Sequence, residues 1–536
     1  MRDPDSVRIK KQLPHLVFRY LKFLVLVCLA AVSTLIAYWA NNLGQIRPIV
    51  VVRPLLVILL FVWVLFSLLL LILRSYHKST LIMLLIITLF FSYGHIVNLT
   101  SQINLSGFAF NSFHLLILYI AIFLIGTFLV FRTKHLPEIV FSYFWIVAGL
   151  IVIYNLLHVL FFYPRLASSV KNSSAGVINA IQAESQPDIY YIVLDAYARD
   201  DILQEIYGFD NSTFLQDLRS RGFYIPECAY SNYDFTLNNV TSVLNMDYLD
   251  TLDVPNIALR QVSAQQVNLV LNNRVRKTFA KLGYQFVATR GYASFNDILN
   301  ADIYLNYYAS QGQRDELGEL FFVKLFFDTT LVRARTEIAL VNPVSAATDN
   351  TASNSNTIDK NSLAYEESSF WYHQTNYVFD SIADLPEKPG NYLVYAHINS
   401  PHGPYVFNQD GSFRYPQGTT NENILYTDTL VYLNQRVLAL IDTLIQKSAI
   451  PPIIIVQADH GTHYYRYGFN KHKILSAYYL PGEIALQLYP TLTPVNDFRL
   501  ILKNYFDHTI ELLPDMLYIK SLNDYESVPA SCDLQP

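Results

Sequence analysis

The sequence predicts a membrane domain of five transmembrane helices followed by an α/β domain with a mostly parallel central sheet. Three observations carry that reading. Of 536 residues, 52% are hydrophobic and only 15% charged, with a positive mean hydropathy, which is too apolar for an ordinary soluble enzyme and too long for one domain. The apolar residues concentrate before about residue 163. From Asp188 onward, short apolar strands alternate with helical stretches, the pattern of a parallel sheet covered by helices.

Five runs are long enough for a hydrocarbon core of roughly 30 Å, which takes about 20 helical residues. They lie near 16–40, 54–74, 79–98, 113–131 and 138–162. The first is too long for a cleaved signal peptide and no small-residue cleavage site follows it. Lysine and arginine sort the loops. Arg2, Arg8, Lys10, Lys11, Arg19 and Lys22 precede or open the first span, Arg74 and Lys78 lie in the second loop, and Arg132 and Lys134 in the fourth. The third loop, "NLTSQINLSGFAFNSF", has none, while Arg47 and Arg53 weigh on the other side. The positive-inside rule places the N-terminus in the cytoplasm. Five spans then put everything after them on the extracytoplasmic face of the inner or plasma membrane.

The expected organisation is a transmembrane domain over 1–162, a small, polar linker over 163–187, a catalytic domain over 188–520 and a C-terminal tail over 521–536. "DIYYIVLDA" (188–196), "YQFVAT" (284–289), "NYLVYAHI" (391–398), "PIIIVQA" (452–458) and "HKILSAYYL" (472–480) read as strands. "NSTFLQDLRSRG", "NRVRKTFAKLG" and "NILYTDTLVYLNQRVLALIDTLIQK" read as helices, the last two closing on Gly or late Lys. Residues 345–362 form a low-complexity loop. A net charge of −5 without a basic arm gives no support for nucleic-acid binding. Cys28 falls in the first span. Cys228 and Cys532 can pair in an oxidising compartment, but two distant cysteines make no disulfide framework.

Ligands of such sheets sit beyond the carboxyl ends of the strands. Asp195 ends the first strand, His397 and His402 follow the third, and Asp459 and His460 follow the fourth. Singly, each has a plainer explanation: an Asp after a strand is commonly a helix cap, and a lone His near an apolar strand a satisfied structural residue. Their coincidence at equivalent strand ends points to a site. In "AYSNYDFTLNNVTSVLNMDYL" (229–249), Thr236 stands before a helix-like run with hydrophobics at Leu237, Val240, Val243 and Leu244. It is either an N-cap threonine or a nucleophile whose alkoxide is favoured by the helix dipole and a bound cation.

In combination, the first-strand carboxylate, the hydroxyl at a helix start after "RGFYIPECAYS" and the late Asp-His-Gly resemble the alkaline phosphatase and sulfatase superfamily. The outer domain is then expected to be sulfatase-like. The sulfatase signature itself is missing. Thr236 stands where the modified cysteine belongs, Leu237-Asn238-Asn239-Val240 replaces the Pro/Arg pattern, and His460 takes the place of the calcium-binding Asn. Imidazole binds zinc or manganese better than calcium.

These departures resemble the membrane branch, the lipoteichoic acid synthases and lipid A phosphoethanolamine transferases, with five helices before an extracytoplasmic domain. The resemblance covers essentially the whole chain. It implies Asp195, Thr236, Asp459 and His460 as metal ligands, although those families usually place Glu where this chain has Asp195. "SPHGPY" (400–405) resembles their substrate-side motif and nominates His402. For the later histidine, His472 is the better candidate by distance and His463 the runner-up. The cofactor implied is a divalent metal ion, zinc or manganese, with magnesium as a further choice.

The expected activity is a metal-dependent transfer of a phospho-alcohol group, of the phosphoglycerol or phosphoethanolamine type, from a phospholipid donor to a glycan or water acceptor through a phosphothreonine. Should a second zinc bind, His402 and His472 become its ligands; otherwise they are catalytic, carrying the leaving group's proton. The alternatives are a sulfatase-like phosphoesterase or sulfuric ester hydrolase, and an inactive membrane scaffold. His95, His114 and His158 fall near the outer ends of their spans. They either sit comfortably at the headgroup interface or line the donor's route.

Overall fold

The computed structural model describes residues 4–40, 48–100, 112–134, 137–171, 186–254, 264–292, 296–312, 326–327, 329–334, 363–415, 421–464, 468–482, 487–520 and 525–534. The chain divides into two units, residues 1–165 with 316–358, and residues 166–315 with 359–536.

The first unit holds helices α1 (Pro4–Ala40), α2 (Pro48–Leu73), α3 (Tyr76–Thr100) and α4 (Ser112–Arg132), and all but the last turns of α5 (Glu138–Lys171). Each contains a stretch long and apolar enough to cross a membrane: Val17–Ala40, Val50–Leu73, Tyr76–Val97, His114–Arg132 and Glu138–Leu160. Inside, Phe23, Leu26, Val27, Phe66, Met83, Ile87 and Phe141 pack together. Outside, residues such as Phe61, Leu71 and Ile72 stay exposed, an apolar surface that only lipid satisfies at this extent. Among the candidate membrane histidines, His95 and His114 are exposed and His158 is half-buried. Helix α5 runs to Lys171, so the expected linker begins as helix. The third loop, 172–185 and the 345–362 loop lie outside the described residues.

The second unit is a three-layer α/β/α domain. Its sheet runs in the order β3-β2-β4-β1-β5-β6. The strands are β1 (Ile189–Leu194), β2 (Tyr284–Thr289), β3 (Ile303–Leu305), β4 (Asn391–Ile398), β5 (Ile453–Gln457) and β6 (Ser476–Tyr479). All neighbours are parallel except β5 and β6. Strand β1 is buried along its whole length, and its unbroken apolar run is what a strand covered on both faces requires. Among the described helices are α6 (Asp200–Tyr207), α7 (Ser212–Ser220), α8 (Thr236–Asn245), α9 (Ala264–Leu271), α10 (Arg274–Lys281), α11 (Leu363–Ala383), α12 (Glu422–Lys447) and α13 (Asp497–Tyr505).

Side-chain alternation along β1 separates the two cores. Tyr190, Ile192 and Leu194 face a core shared with α7, α11 and α12 through residues such as Leu218, Phe379 and Leu433. Ile189, Tyr191 and Val193 face one shared with α8, α10 and α13 through Leu237, Val240, Phe279 and Phe498.

Two expected elements differ. The stretch 472–480 is a strand only over Ser476–Tyr479, because a 3-10 turn, Phe469–His472, precedes it. Within the expected tail over 521–536, the described residues 525–534 are held in the domain. Strand β8 (Tyr525–Pro529) pairs antiparallel with β7 (Met516–Lys520), and Cys532 is joined to Cys228 by a disulfide. Backbone pairing and the covalent link hold them there; the cysteine pair was open to expectation from the sequence, the strand pairing was not.

Candidate metal centre

The site starts from strand register. On β1, Val193 stands level with His397 of β4 and with Gln457 of β5. Side chains alternate with a period of two, so His397 and the two residues just past the strand ends, Asp195 and Asp459, share one face. That face is the one α8 covers. Asp195 N–H still donates to Ile398 O at 3.0 Å. The chain then turns through Ala196, whose φ of 64° is left-handed. A non-glycine residue there costs of order 1 kcal/mol. The turn aims the Ala196 N–H at Asp459 Oδ1, 3.2 Å away, and so ties the two carboxylate-bearing ends together.

The atoms converge on one point. Ligand-type atoms of Asp195, His397 and Asp459 all lie within 4.8 Å of one another. His397 Nε2 is 3.2 Å from Asp195 Oδ2, and Tyr395 Oη is 3.0 Å from His397 Nδ1. Since a carboxylate only accepts, Nε2 donates to Asp195 and Nδ1 accepts from the tyrosine. His460 is held the other way. Its Nδ1 donates to Gly461 O at 2.8 Å, which in the neutral ring leaves a lone pair on Nε2. That nitrogen lies 3.7 Å from Asp195 Oδ1 and 3.6 Å from Asp459 Oδ2. Both oxygens are buried and accept no hydrogen bond. Three electron-rich atoms facing one another inside a protein are costly without a partner, and a cation between them is the partner that fits.

Burial raises the Asp195 carboxyl's pKa, but the imidazoles of His402, His397 and His460 outweigh it and hold the group below its usual range. Burial lowers that of His397, while the hydrogen bond and charge of Asp195 bring it above its ordinary value.

The Asp-His-Gly spelling has a steric reason. A Cβ on Gly461 would lie 2.8 Å from both Lys471 O and Lys473 O, and the Gly461 N–H donates to Lys471 O at 2.7 Å. Only glycine lets the turn carrying His460 close against the 471–473 backbone.

Thr236 is the first residue of α8 and only 8% exposed. It is not the N-cap. Phe235 is, in extended conformation, and its carbonyl accepts from the N–H groups of Asn238 and Asn239. The capping alternative for Thr236 therefore falls away, and its hydroxyl stands in the first turn, at the positive end of the helix dipole. His472 is joined to the same segment. Ser231 N–H donates to His472 O at 2.8 Å, and His472 Nδ1 donates to Ser231 O at 2.9 Å. Its Nε2 is buried without a hydrogen-bond partner. Burial pushes the ring's pKa down despite the Ser231 carbonyl, which favours a neutral imidazole with a free lone pair.

His402 sits on the loop after β4, where its N–H donates to Asp195 O at 3.1 Å. Its Nδ1 donates to Gly403 O at 2.6 Å, leaving Nε2 available. The rings of His402 and His463 meet edge to face at 4.4 Å, and His463 is 5.2 Å from His460. Spacing ranked His463 behind His472; in space it stands beside both His460 and His402.

No protein-family model and no curated protein matches the chain. Solved structures do. The C-terminal periplasmic domain of phosphoethanolamine transferase EptC from Campylobacter jejuni aligns over 63% of this chain and 94% of its own, at 13% identity and a TM-score of 0.34. The corresponding domain of EcEptC from Escherichia coli, in complex with Zn, aligns over 65% and 94%, at 11% and 0.36. The integral membrane protein lipooligosaccharide phosphoethanolamine transferase A (EptA) from Neisseria meningitidis aligns over 90% and 92%, at 10% and 0.34.

The residue that sequence reasoning did not assign is His397. It does not follow β4 but is the strand's penultimate residue, and only its register against Val193 turns it toward the carboxylates. Its one visible signal was a polar residue inside an otherwise apolar strand, buried to 2% exposure in the fold.

Proposed function

We propose that the second unit is a divalent-metal-dependent transferase that moves a phospho-alcohol group from a membrane phospholipid, through a phosphothreonine at Thr236, to a glycan hydroxyl or water. The observation that carries the reading is the His460 Nε2 lone pair opposed to Asp195 Oδ1 and Asp459 Oδ2 with no donor between them. Asp195, Asp459 and His460, with Thr236, would hold the cation, and His397 orients Asp195 through its Nε2 hydrogen bond. Two carboxylates with imidazole suit zinc or manganese. Such an ion supplies Lewis acidity, lowering a hydroxyl's pKa and offsetting charge on the transferring oxygens.

The chain's own residues do the rest. Helix α8 presents Thr236 Oγ1 together with first-turn N–H groups that suit a phosphate. Thr236 Oγ1 forms the new bond to phosphorus as the bond to the lipid alcohol breaks. The proton lost by the threonine passes to the departing oxygen by way of His402 Nε2, the nitrogen left free by the Gly403 bond. In the second half the acceptor's hydroxyl attacks phosphorus, its proton returns to Thr236 by the same route, and the threonine is released. The five spans and the apolar surface of the first unit support a lipid donor. The Cys228–Cys532 pair supports an oxidising, extracytoplasmic location.

The test is the metal content and the covalent state of the purified chain. One bound zinc or manganese, and a phospho-alcohol adduct on Thr236 after exposure to vesicles of phosphatidylethanolamine and phosphatidylglycerol, are expected. Turnover of soluble esters by Thr236→Ala at the wild-type rate would refute the nucleophile.

A further inference from the structure

We propose that the C-terminal hairpin β7–β8, pinned by the Cys228–Cys532 disulfide, is a clamp that positions the Thr236 helix start, with Tyr525 as its principal positioning residue. The functional part of this proposal rests on Thr236 being the nucleophile, as proposed above.

Three sets of contacts run along one segment, residues 228–238. At its entry, Cys228 is bonded to Cys532, and Tyr230 Oη donates to Ser531 O at 3.2 Å. In the middle, Asn232 is held at two points along one edge of β7. Tyr518 N–H donates to Asn232 O at 2.8 Å, and Asn232 Nδ2 donates to Met516 O at 2.8 Å. The Tyr233 ring stacks on Tyr518 with centroids 4.8 Å apart. At its exit, β8 supplies Tyr525. That hydroxyl donates to Asp234 Oδ1 at 3.0 Å and accepts from Asn238 Nδ2 at 3.3 Å. It therefore bridges the residue two before Thr236 and the residue two after it. Asn238 is braced again by Gln266 Nε2 at 2.9 Å.

The local chain supplies only part of this hold, through Asn239, whose side chain accepts from the Tyr233 N–H and donates to Tyr233 O. Phe235 offers no side-chain cap to α8, and a helix of ten residues is marginal without tertiary support. A nucleophile needs placement to within a fraction of an ångström, because about 1 Å of misplacement can cost roughly a hundredfold in rate. The hairpin reaches Asp234 and Asn238 from some 290 residues away in sequence. A two-stranded hairpin is itself marginal in isolation, so the disulfide three residues past β8 adds a covalent hold to the hydrogen bonds along the segment.

The experiment compares the full chain in vesicles of phosphatidylethanolamine and phosphatidylglycerol as wild type, Tyr525→Phe and Cys532→Ser, with wild type also reduced by dithiothreitol and then reoxidised. Two readouts are taken: hydrogen exchange of amides 231–240, and the rate of mass gain at Thr236, each at measured metal content and melting temperature. Tyr525→Phe is expected to speed exchange in 231–240 and slow loading about tenfold, with metal retained and melting nearly unchanged. Reduction should reproduce the Cys532→Ser behaviour, have no effect on that variant, and reverse on reoxidation.

Wild-type exchange and loading in Tyr525→Phe and in reduced protein would overturn the proposal. So would a loss of loading matched by an equal loss of folded protein. Should wild type acquire no adduct at Thr236, the functional reading fails, and the clamp is then judged by the exchange data alone.

Discussion

Replacing Gly461 by alanine tests the link between a backbone contact and the metal centre. The added methyl would meet Lys471 O and Lys473 O at 2.8 Å, where ordinary contact begins at 3.4 Å. Both obstacles are backbone atoms, so relief needs a shift of about 0.6 Å in one of two packed segments, and interiors yield poorly to such strain. Overpacking of this kind costs about 1–3 kcal/mol. Loosening the Gly461 N–H bond to Lys471 O adds about 1 kcal/mol. At about 2 °C per kcal/mol for a large domain, the melting temperature should fall by roughly 4–8 °C. The same shift moves His460, whose Nδ1 is anchored on Gly461 O, so zinc affinity should weaken about tenfold or more. Calorimetry and zinc titration measure both. Gly149→Ala is the control, since a Cβ there meets nothing within 4 Å. Wild-type melting and zinc affinity in Gly461→Ala would show that the turn is not held as described.

Asp459→Asn keeps an acceptor for the Ala196 N–H but halves the carboxylate charge of the site, so bound metal should disappear from the purified protein by elemental analysis. Tyr395→Phe removes the donor to His397 Nδ1 and should lower metal affinity about 10- to 100-fold with little change in circular dichroism. Stripping metal with EDTA should lower stability by about 2.7 kcal/mol relative to metal supplied at a hundred times its dissociation constant, reversed by zinc or manganese and read by thermal denaturation. Thr236→Ser should keep measurable adduct formation while Thr236→Ala loses it and binds the metal more weakly, as mass spectrometry of the intact chain and elemental analysis would report.

The five spans were legible because a helix in lipid satisfies its own backbone and needs only apolar length; those stretches match the expected ones within a few residues. The α/β alternation was legible too. Parallel strands all deliver their carboxyl ends to one edge, so Asp195 and Asp459-His460 could be placed together without knowing the order of the strands. What the linear chain could not carry was register and distant packing. His397 turned inward because β4 pairs level with β1. Thr236 became the first helical residue because Phe235 took the extended cap position. His463 came beside His402 through a turn whose closure depends on the 471–473 backbone. The C-terminal segment, polar and unremarkable by composition, proved to be a strand bonded to residues some 290 positions earlier. Periodicity is a local property and survives in sequence; which side chains share a face across strands is set by hydrogen-bond pairing between segments, and that exists only once the chain has folded.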